Sequence, residues 1–142
     1  MLNVYKYYDD AKTLPKYKEL NNVLPLLKKR SLWNPENAKK LEPIKHIIMQ
    51  NQGNAYEYAR FVLKERWPEA EPIIMKNPDY AYRYARDVIN GRWEEAEPYI
   101  MKDPTYAYCY ARDVIKGRWE EAEPYIKKDP QYAHWYAKNI IG

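Results

Sequence analysis

The strongest constraint on this chain is an internal repeat of 26 residues. Residues 77–102 read NPDYAYRYARDVINGRWEEAEPYIMK, and residues 103–128 read DPTYAYCYARDVIKGRWEEAEPYIKK. One step back, residues 51–76 read NQGNAYEYARFVLKERWPEAEPIIMK; one step forward, residues 129–142 stop after half a unit, DPQYAHWYAKNIIG. The sequence therefore predicts three full repeats and a C-terminal half repeat.

Each repeat begins with the signals of a short helix. Asp103-Pro104 places a capping residue before a proline at the first helical position, and the other repeats keep Asn or Asp as the cap. This first helix is expected to end at Gly91 or Gly117, because glycine favours the left-handed residue that closes a helix. Glu65 replaces the glycine in the first repeat, so a looser helix end is expected there.

A second helix is expected from about Trp93 to Lys102. Pro98 lies about one turn in, which predicts an irregular start. The first helix has an apolar arc of roughly 200°, with Ala81 and Ala85 at its centre, wider than one neighbour requires. Hairpins of this kind bury their faces by stacking. The predicted fold is all-α, a helical-hairpin array or α-solenoid.

The predicted domain organisation is a single domain with two parts. Residues 1–50 form a divergent helical N-terminal cap, with one or two short helices within 14–30. The array covers residues 51–142, divided at the repeat limits 51–76, 77–102, 103–128 and 129–142. Asn34-Pro35-Glu36 reads as another cap and first turn.

Some side chains are the same in every full repeat, which predicts a structural ladder. The Arg-Trp pair and two Glu residues recur, and Glu97 is expected to pair with an Arg or to accept a Tyr hydroxyl. One Tyr position recurs in all four units and is expected in the core; its members are Tyr58, Tyr84, Tyr110 and Tyr136.

Other positions are candidates for contact with a partner. Rings at the edges of the apolar arc can pack, or can bury one face and leave the hydroxyl in water. The variation of some helix positions between repeats has two alternative explanations, which are neutral drift on an exposed surface and specificity for a binding partner. The candidates for partner or ligand binding are Tyr80, Tyr82, Arg83, Arg86, Asp87, Tyr106, Tyr108, Cys109, Arg112, Asp113, Tyr132, His134 and Trp135.

Reactive side chains are scarce in this composition. Three Ser or Thr residues, one Cys and two His leave no nucleophile motif and no spaced set of metal ligands, so no enzyme, metal or cofactor is expected. A lone Cys forms no internal disulfide, and no stretch approaches 18 apolar residues, so a cytoplasmic protein without a membrane partner is expected.

Basic charge is concentrated at the N-terminus. Residues 1–50 hold 10 basic and 5 acidic side chains, whereas residues 51–142 hold 14 and 15. Since phosphate binding requires basic surface, a nucleic-acid partner is not favoured for the array.

The unit Y-A-x-x-V-I-x-G-R-W-x-E-A-E-P-x-I-x-x-D-P resembles tandem helical repeats found in proteins of bacteriophages and some bacteria. The resemblance covers residues 51–142 and, weakly, 34–50. It implies a phage or bacterial context, the host cytoplasm if the protein is phage-encoded, and no activity or active-site residues. Small phage proteins without enzyme motifs often bind a host or defence component.

The leading functional hypothesis is a non-enzymatic binding protein, a phage-encoded inhibitor or adaptor that contacts a host or defence protein through a Tyr-rich surface. One alternative is sequestration of a small nucleotide signal, with rings stacking on the base and arginines holding phosphates. A less favoured alternative is RNA binding through Lys28, Lys29 and Arg30. A homodimer through the C-terminal end face is a further option.

Overall fold

The computed structural model describes residues 33–142. The chain divides into two compact units, Met1–Ala70 and Glu71–Gly142, which are taken in turn. The helices predicted within residues 14–30 lie outside the described residues. All regular secondary structure in residues 33–142 is helical, as the sequence predicted.

The described part of the first unit, residues 33–70, consists of short helical segments. Asn34 caps the first of them by accepting a hydrogen bond from the Asn37 amide, at 3.1 Å. The segments are a 3₁₀ turn Pro35–Asn37, α1 (Ala38–Leu41), a 3₁₀ turn Glu42–Ile44, α2 (Lys45–Ile48), α3 (Gln52–Glu57) and a π-helical segment Tyr58–Leu63.

The second unit, residues 71–142, contains the regular part of the repeat. Its segments are α4 (Glu71–Ile74), α5 (Pro78–Tyr84) with a π segment Ala85–Ile89, a 3₁₀ turn Glu94–Ala96 with α6 (Glu97–Ile100), α7 (Pro104–Tyr110) with a π segment Ala111–Ile115, a 3₁₀ turn Glu120–Ala122 with α8 (Glu123–Ile126), and α9 (Pro130–Tyr136) with a π segment Ala137–Ile141. The repeat of helix pairs is confirmed.

The predicted caps are confirmed in all four first helices. The Asn77 side chain accepts from the amides of Asp79 and Tyr80, at 3.0 and 3.3 Å. The caps of the other three helices, Asn51, Asp103 and Asp129, also accept an amide hydrogen bond. A side-chain acceptor satisfies an amide that has no partner within the helix, which is why each helix begins there.

The ends of the first helices differ from the prediction. The left-handed residue is the one before the glycine position: Lys64, Asn90 and Lys116, with φ of 55°, 61° and 59°. Gly91 and Gly117 have no positive φ, so they do not close the helix by their conformational freedom. In the first repeat Lys64 has the same left-handed conformation, but its amide does not make the closing hydrogen bond that Asn90 and Lys116 make, so the looser end expected at Glu65 stays a prediction.

The last turn of each first helix is widened to a π-helix, which the sequence analysis did not anticipate. The Ala85 carbonyl accepts from the amides of both Asn90 and Gly91, five and six residues away. The same arrangement joins Ala111 to Lys116 and Gly117. Because the widening recurs in every repeat, it belongs to the architecture and is not an isolated distortion.

The second helices have the irregular start that Pro98 predicted. A 3₁₀ turn precedes α6, and Pro98 lies in the first turn of α6, where its missing amide costs no hydrogen bond. The helix itself is a single turn, so its stability comes from the buried side chains Trp93, Ala96 and Ile100.

The first helices of the second unit pack on one another in repeat order, α5 on α7 and α7 on α9. Ala81 and Ala85 in α5 and its π segment are fully buried, as are Ala107 and Ala111 one repeat later. Small side chains allow close approach of neighbouring helices, so the prediction from the apolar arc is confirmed. This stacking sets the positions of the side chains described next.

Candidate functional site

A buried hydrogen-bonded rung joins the second helix of one repeat to the first helix of the next. The Tyr110 hydroxyl donates to Glu97 Oε2 at 2.6 Å and accepts from the Trp93 amide at 2.7 Å. The Arg92 guanidinium donates two hydrogen bonds to the Glu97 carboxylate, at 2.9 and 2.7 Å. Every polar group in the rung is therefore engaged inside the protein.

The rung is repeated one unit later with the same geometry. Tyr136 donates to Glu123 at 2.7 Å and accepts from the Trp119 amide at 2.9 Å, while Arg118 pairs with Glu123. Tyr84 likewise donates to Glu71 at 2.7 Å. The prediction that Glu97 would pair with Arg or accept a Tyr hydroxyl is confirmed, since it does both. The rungs join the repeats, and the carboxylates of Glu97 and Glu123 are each engaged by an Arg and a Tyr.

The rung stabilises the charged form of its carboxylate. Burial alone would raise the pKa of Glu97, but the hydrogen bonds from Arg92 and Tyr110 outweigh it, and the pKa is lowered. Burial, followed by the bond to Glu123, raises the pKa of Tyr136 to about 12. The rung is thus an ionised Glu with neutral Tyr over a broad pH range.

Tyr58 stands at the same repeat position and is fully buried, as predicted for this seam. Its hydroxyl has no hydrogen-bond partner among the described residues. Burial, and secondarily the charge of Glu42, raises the pKa of Tyr58 to about 12. Its ring packs at 4.9 Å from that of Trp67, close to the 4.8 Å between Tyr110 and Trp119.

A second set of contacts follows the other side of the first helices. The Tyr82 hydroxyl donates to the Asp113 carboxylate of the next repeat and accepts from Arg86 at 2.9 Å. Arg112 also donates two hydrogen bonds to Asp113, at 2.7 and 2.9 Å. The hydrogen bond from Arg112 lowers the pKa of Asp113 despite its partial burial, with a further contribution from Tyr82.

One repeat later the contact is neutral. The Asn139 amide donates to the Tyr108 hydroxyl at 2.9 Å, so Asn139 stands where Asp113 stands in the preceding repeat. The helix position that varies as Asp and Asn is therefore a packing position between repeats. Nearby, Arg86 pairs with Asp87 through two hydrogen bonds of 2.8 Å.

The hydroxyl groups of Tyr82 and Tyr108 are not exposed to water, in contrast to what the sequence predicted for rings at the edge of the apolar arc. They are 5% and 4% exposed, because the next repeat covers both rings and supplies the partner of each hydroxyl. A helical wheel of one repeat does not include that neighbour. The remaining edge rings Tyr80, Tyr106 and Tyr132 are only half-buried.

The half-buried rings lie beside the variable position of the same helices, three residues further on. We call these six residues the outer row: Tyr80, Arg83, Tyr106, Cys109, Tyr132 and Trp135. Residues three apart share a helix face, so the outer row follows the stacked first helices. Arg83 lies over the Tyr80 ring at 5.7 Å and pairs with Asp79 at 2.7 Å, while Tyr132 and Trp135 meet edge to face at 5.3 Å.

Cys109 is a half-buried member of the outer row with a free thiol. Burial raises the pKa of its thiol, which disfavours the thiolate that a nucleophile requires. Arg112 is near enough to lower that pKa in part, but burial dominates.

The last first helix is more exposed than its equivalents. His134 is exposed where Tyr82 and Tyr108 are buried, and Trp135 is 37% exposed. Ala137 is exposed where Ala85 and Ala111 are fully buried. Homodimer formation through this face stays a prediction.

Two grooves between neighbouring first helices were missed by the sequence analysis. A groove of about 240 Å³ is lined by Arg86, Asn90, Gly91, Asp113, Val114 and Lys116. A groove of about 160 Å³ is lined by Arg112, Lys116, Gly117, Asn139 and Ile140. The residues that line the second groove stand at the same repeat positions as residues that line the first, one repeat later. The one sequence signal at the grooves is the glycine after the first helix of the second and third repeats, Gly91 and Gly117, and that signal predicts a helix end.

Residues 33–142 contain no group of three or more His, Cys, Asp or Glu side chains placed to hold a metal ion. In the same part of the chain, no helix has the length and apolar character needed to cross a membrane. Comparisons of the chain with family models, with curated proteins and with solved structures returned no match.

Proposed function

We propose that this chain is a non-enzymatic protein-binding module that contacts its partner through the outer row. The observation that carries the proposal is a half-buried aromatic row whose second position changes in every repeat, from Arg83 to Cys109 to Trp135. The rungs already hold the repeats together, so this variety is not needed for packing. Tyr, Trp and Arg are the side chains enriched where proteins bind one another.

The kind of partner follows from the resemblance to phage repeat proteins. We propose a host or defence protein, which the chain would inhibit or link to another component. In this role a folded surface acts by contact and the chain needs no catalytic group.

The outer row is suited to contact because its rings are fixed before binding. Tyr132 and Trp135 pack against each other and both lie close to Tyr108, at 5.8 and 6.2 Å between ring centroids. Arg83 is held by Asp79. Preorganised side chains lose little conformational freedom on binding, which favours affinity.

A nucleotide-sequestering function has less support. Arg83, Arg86 and Arg112 each form an ion pair with a neighbouring Asp, at 2.7 to 2.8 Å, so none is a free phosphate ligand. The two grooves, about 240 and 160 Å³, are smaller than the roughly 300–1,000 Å³ of typical small-molecule sites. The RNA alternative depends on residues 28–30, outside the described residues.

The test is capture from bacterial host lysates with the tagged chain as bait, followed by titration of each captured protein. A variant with Arg83→Ala, Tyr132→Ala and Trp135→Ala removes one cation and two rings from the outer row. Each truncation at a contact centre is expected to cost about 1–3 kcal/mol of binding free energy. The triple variant should therefore lose the partner at concentrations that saturate the wild type.

A matched control removes the same chemistry from the second helices. Lys102→Ala, Tyr99→Ala and Tyr125→Ala also remove one cation and two rings, and circular dichroism checks that both variants are folded. The control should bind like the wild type. Equal loss in both variants, or capture with no saturable partner, would contradict the proposal.

A further inference from the structure

The two grooves form a repeated feature that packing does not require. Each lies between neighbouring first helices, where their π segments end, and each contains an Arg, a left-handed residue and a glycine of one repeat. Neither belongs to the outer row. A feature that recurs at the helix spacing suits a ligand that also repeats along its length.

The size of the grooves limits what enters them. A cavity of about 150 Å³ holds one benzene-sized group. Volumes of about 240 and 160 Å³ therefore fit single side chains, one in each groove. An intact nucleotide or a drug-sized molecule needs more space.

The charge of the linings favours an acidic side chain. Arg86 and Arg112 line the grooves, but they are already paired with Asp87 and Asp113, so their charges are largely neutralised. Asp113 is already bound by Arg112 and Tyr82. Lys116 lines both grooves, and among residues 33–142 no carboxylate forms an ion pair with it.

The glycines leave space at the groove walls. Gly91 and Gly117 have ordinary φ angles, and a Cβ at either position would meet nothing within 4 Å. Neither conformation nor packing within the described residues therefore requires glycine there. The missing side chains leave room for the main chain of a ligand to approach.

The spacing of the grooves selects the conformation of the ligand. Packed helices lie about 8–10 Å apart. A polyproline II segment rises about 3.1 Å per residue with three residues per turn, so side chains three apart face the same way at about 9.3 Å. Such a segment can place a carboxylate side chain into each groove in turn.

We propose that the grooves bind an extended acidic segment of the partner protein, with carboxylates three residues apart on either side of Lys116. This inference rests on the proposed protein-binding function and names the chemistry of the segment that is bound. Single-stranded nucleic acid is the competing polyanion, and the test includes it.

The test uses the whole chain and fluorescein-labelled peptides measured by anisotropy at low salt. The probe is a peptide of Glu-Pro-Pro triplets, whose prolines favour polyproline II. One control peptide has Gln in place of Glu. Another has the same composition, with its Glu residues two apart and the remaining prolines collected at one end. The probe is expected to saturate the protein and to bind at least about tenfold more tightly than either control.

Variants of the protein locate the site. Lys116→Ala should weaken binding of the probe about tenfold, while Lys102→Ala, with the same change in net charge, should leave it within about twofold. Gly117→Leu fills the second groove at a position with free space and an ordinary φ, so it should weaken binding without lowering the melting temperature.

Several results would overturn the inference. They are no saturable binding, equal affinity for the peptide with altered spacing, equal loss in both lysine variants, and competition by oligo-dT at equal concentration of anionic groups. If the peptide fails while the outer-row variant still loses the captured partner, only this inference fails. If the peptide binds and the outer-row variant keeps its partner, the proposed contact surface is the part that is wrong.

Discussion

Replacing Tyr110 by Phe removes one hydroxyl from the centre of a rung and keeps the ring that packs at 4.8 Å on Trp119. The hydroxyl donates to the charged Glu97, a bond worth about 1.5–3 kcal/mol. It also accepts from the buried Trp93 amide, which is left without this partner at a cost of about 1–3 kcal/mol. Because such terms do not add fully, we expect a loss of about 3 kcal/mol in the free energy of unfolding.

The chain contains its own control for this substitution. Tyr58 has the same repeat position and the same burial, but its hydroxyl has no partner among the described residues. Tyr58→Phe removes an unsatisfied buried hydroxyl and should be neutral or stabilise by up to about 1 kcal/mol.

The assay is urea unfolding followed by circular dichroism, with thermal unfolding beside it. In a chain of this length 3 kcal/mol lowers the melting temperature by roughly 10 °C. If Tyr110→Phe costs no more than Tyr58→Phe, the reasoning that the rung joins the repeats is refuted.

Further predictions concern helix ends and pH. Lys116→Gly should raise the free energy of unfolding by about 0.5–1 kcal/mol, since Lys116 has a φ of 59°, and Gly117→Ala should leave it unchanged or raise it. If urea unfolding shows instead that Gly117→Ala is the damaging change, Gly117 is the left-handed residue. Burial and then the bond to Asp113 raise the pKa of Tyr82 to about 12, and Tyr136 is also shifted to about 12. Because the pKa of these tyrosines is higher in the folded than in the unfolded chain, they contribute stability that is complete below pH 10 and is lost as the pH rises towards 12. Absorbance at 295 nm should therefore show them ionising later than the other tyrosines, and ionisation of all tyrosines near pH 10 would contradict this. Because the pKa of Glu97 is lowered in the folded chain, its carboxylate contributes stability above about pH 4.5 that is lost as the pH falls further. Urea unfolding over an acid series should therefore show a declining free energy of unfolding, and a constant value would contradict this prediction.

Local signals predicted much of the fold. The capping residues, the irregular start at Pro98 and the buried alanines follow from chemistry within one repeat, and these predictions are confirmed. The pairing of Glu97 was also predictable, because a carboxylate near an apolar face needs a donor.

The rest depended on neighbouring repeats. Tyr82 looked like an edge ring because its cover, and its partner Asp113, come from 31 residues further along the chain. The glycine after each helix looked like a terminator, since sequence alone does not reveal the π segment that moves the left-handed residue to Asn90 and Lys116. The grooves are lined by residues of two neighbouring repeats, so the pattern within one repeat does not reveal them either.

Hydrogen exchange with and without the captured partner tests whether the outer row is the contact surface, because it maps protection over the whole chain. We expect protection on binding in segments of the outer row, 80–83, 106–109 and 132–135, with little change in the second helices, 97–100 and 123–126. Protection confined to the second helices, or none in the outer row, would contradict it.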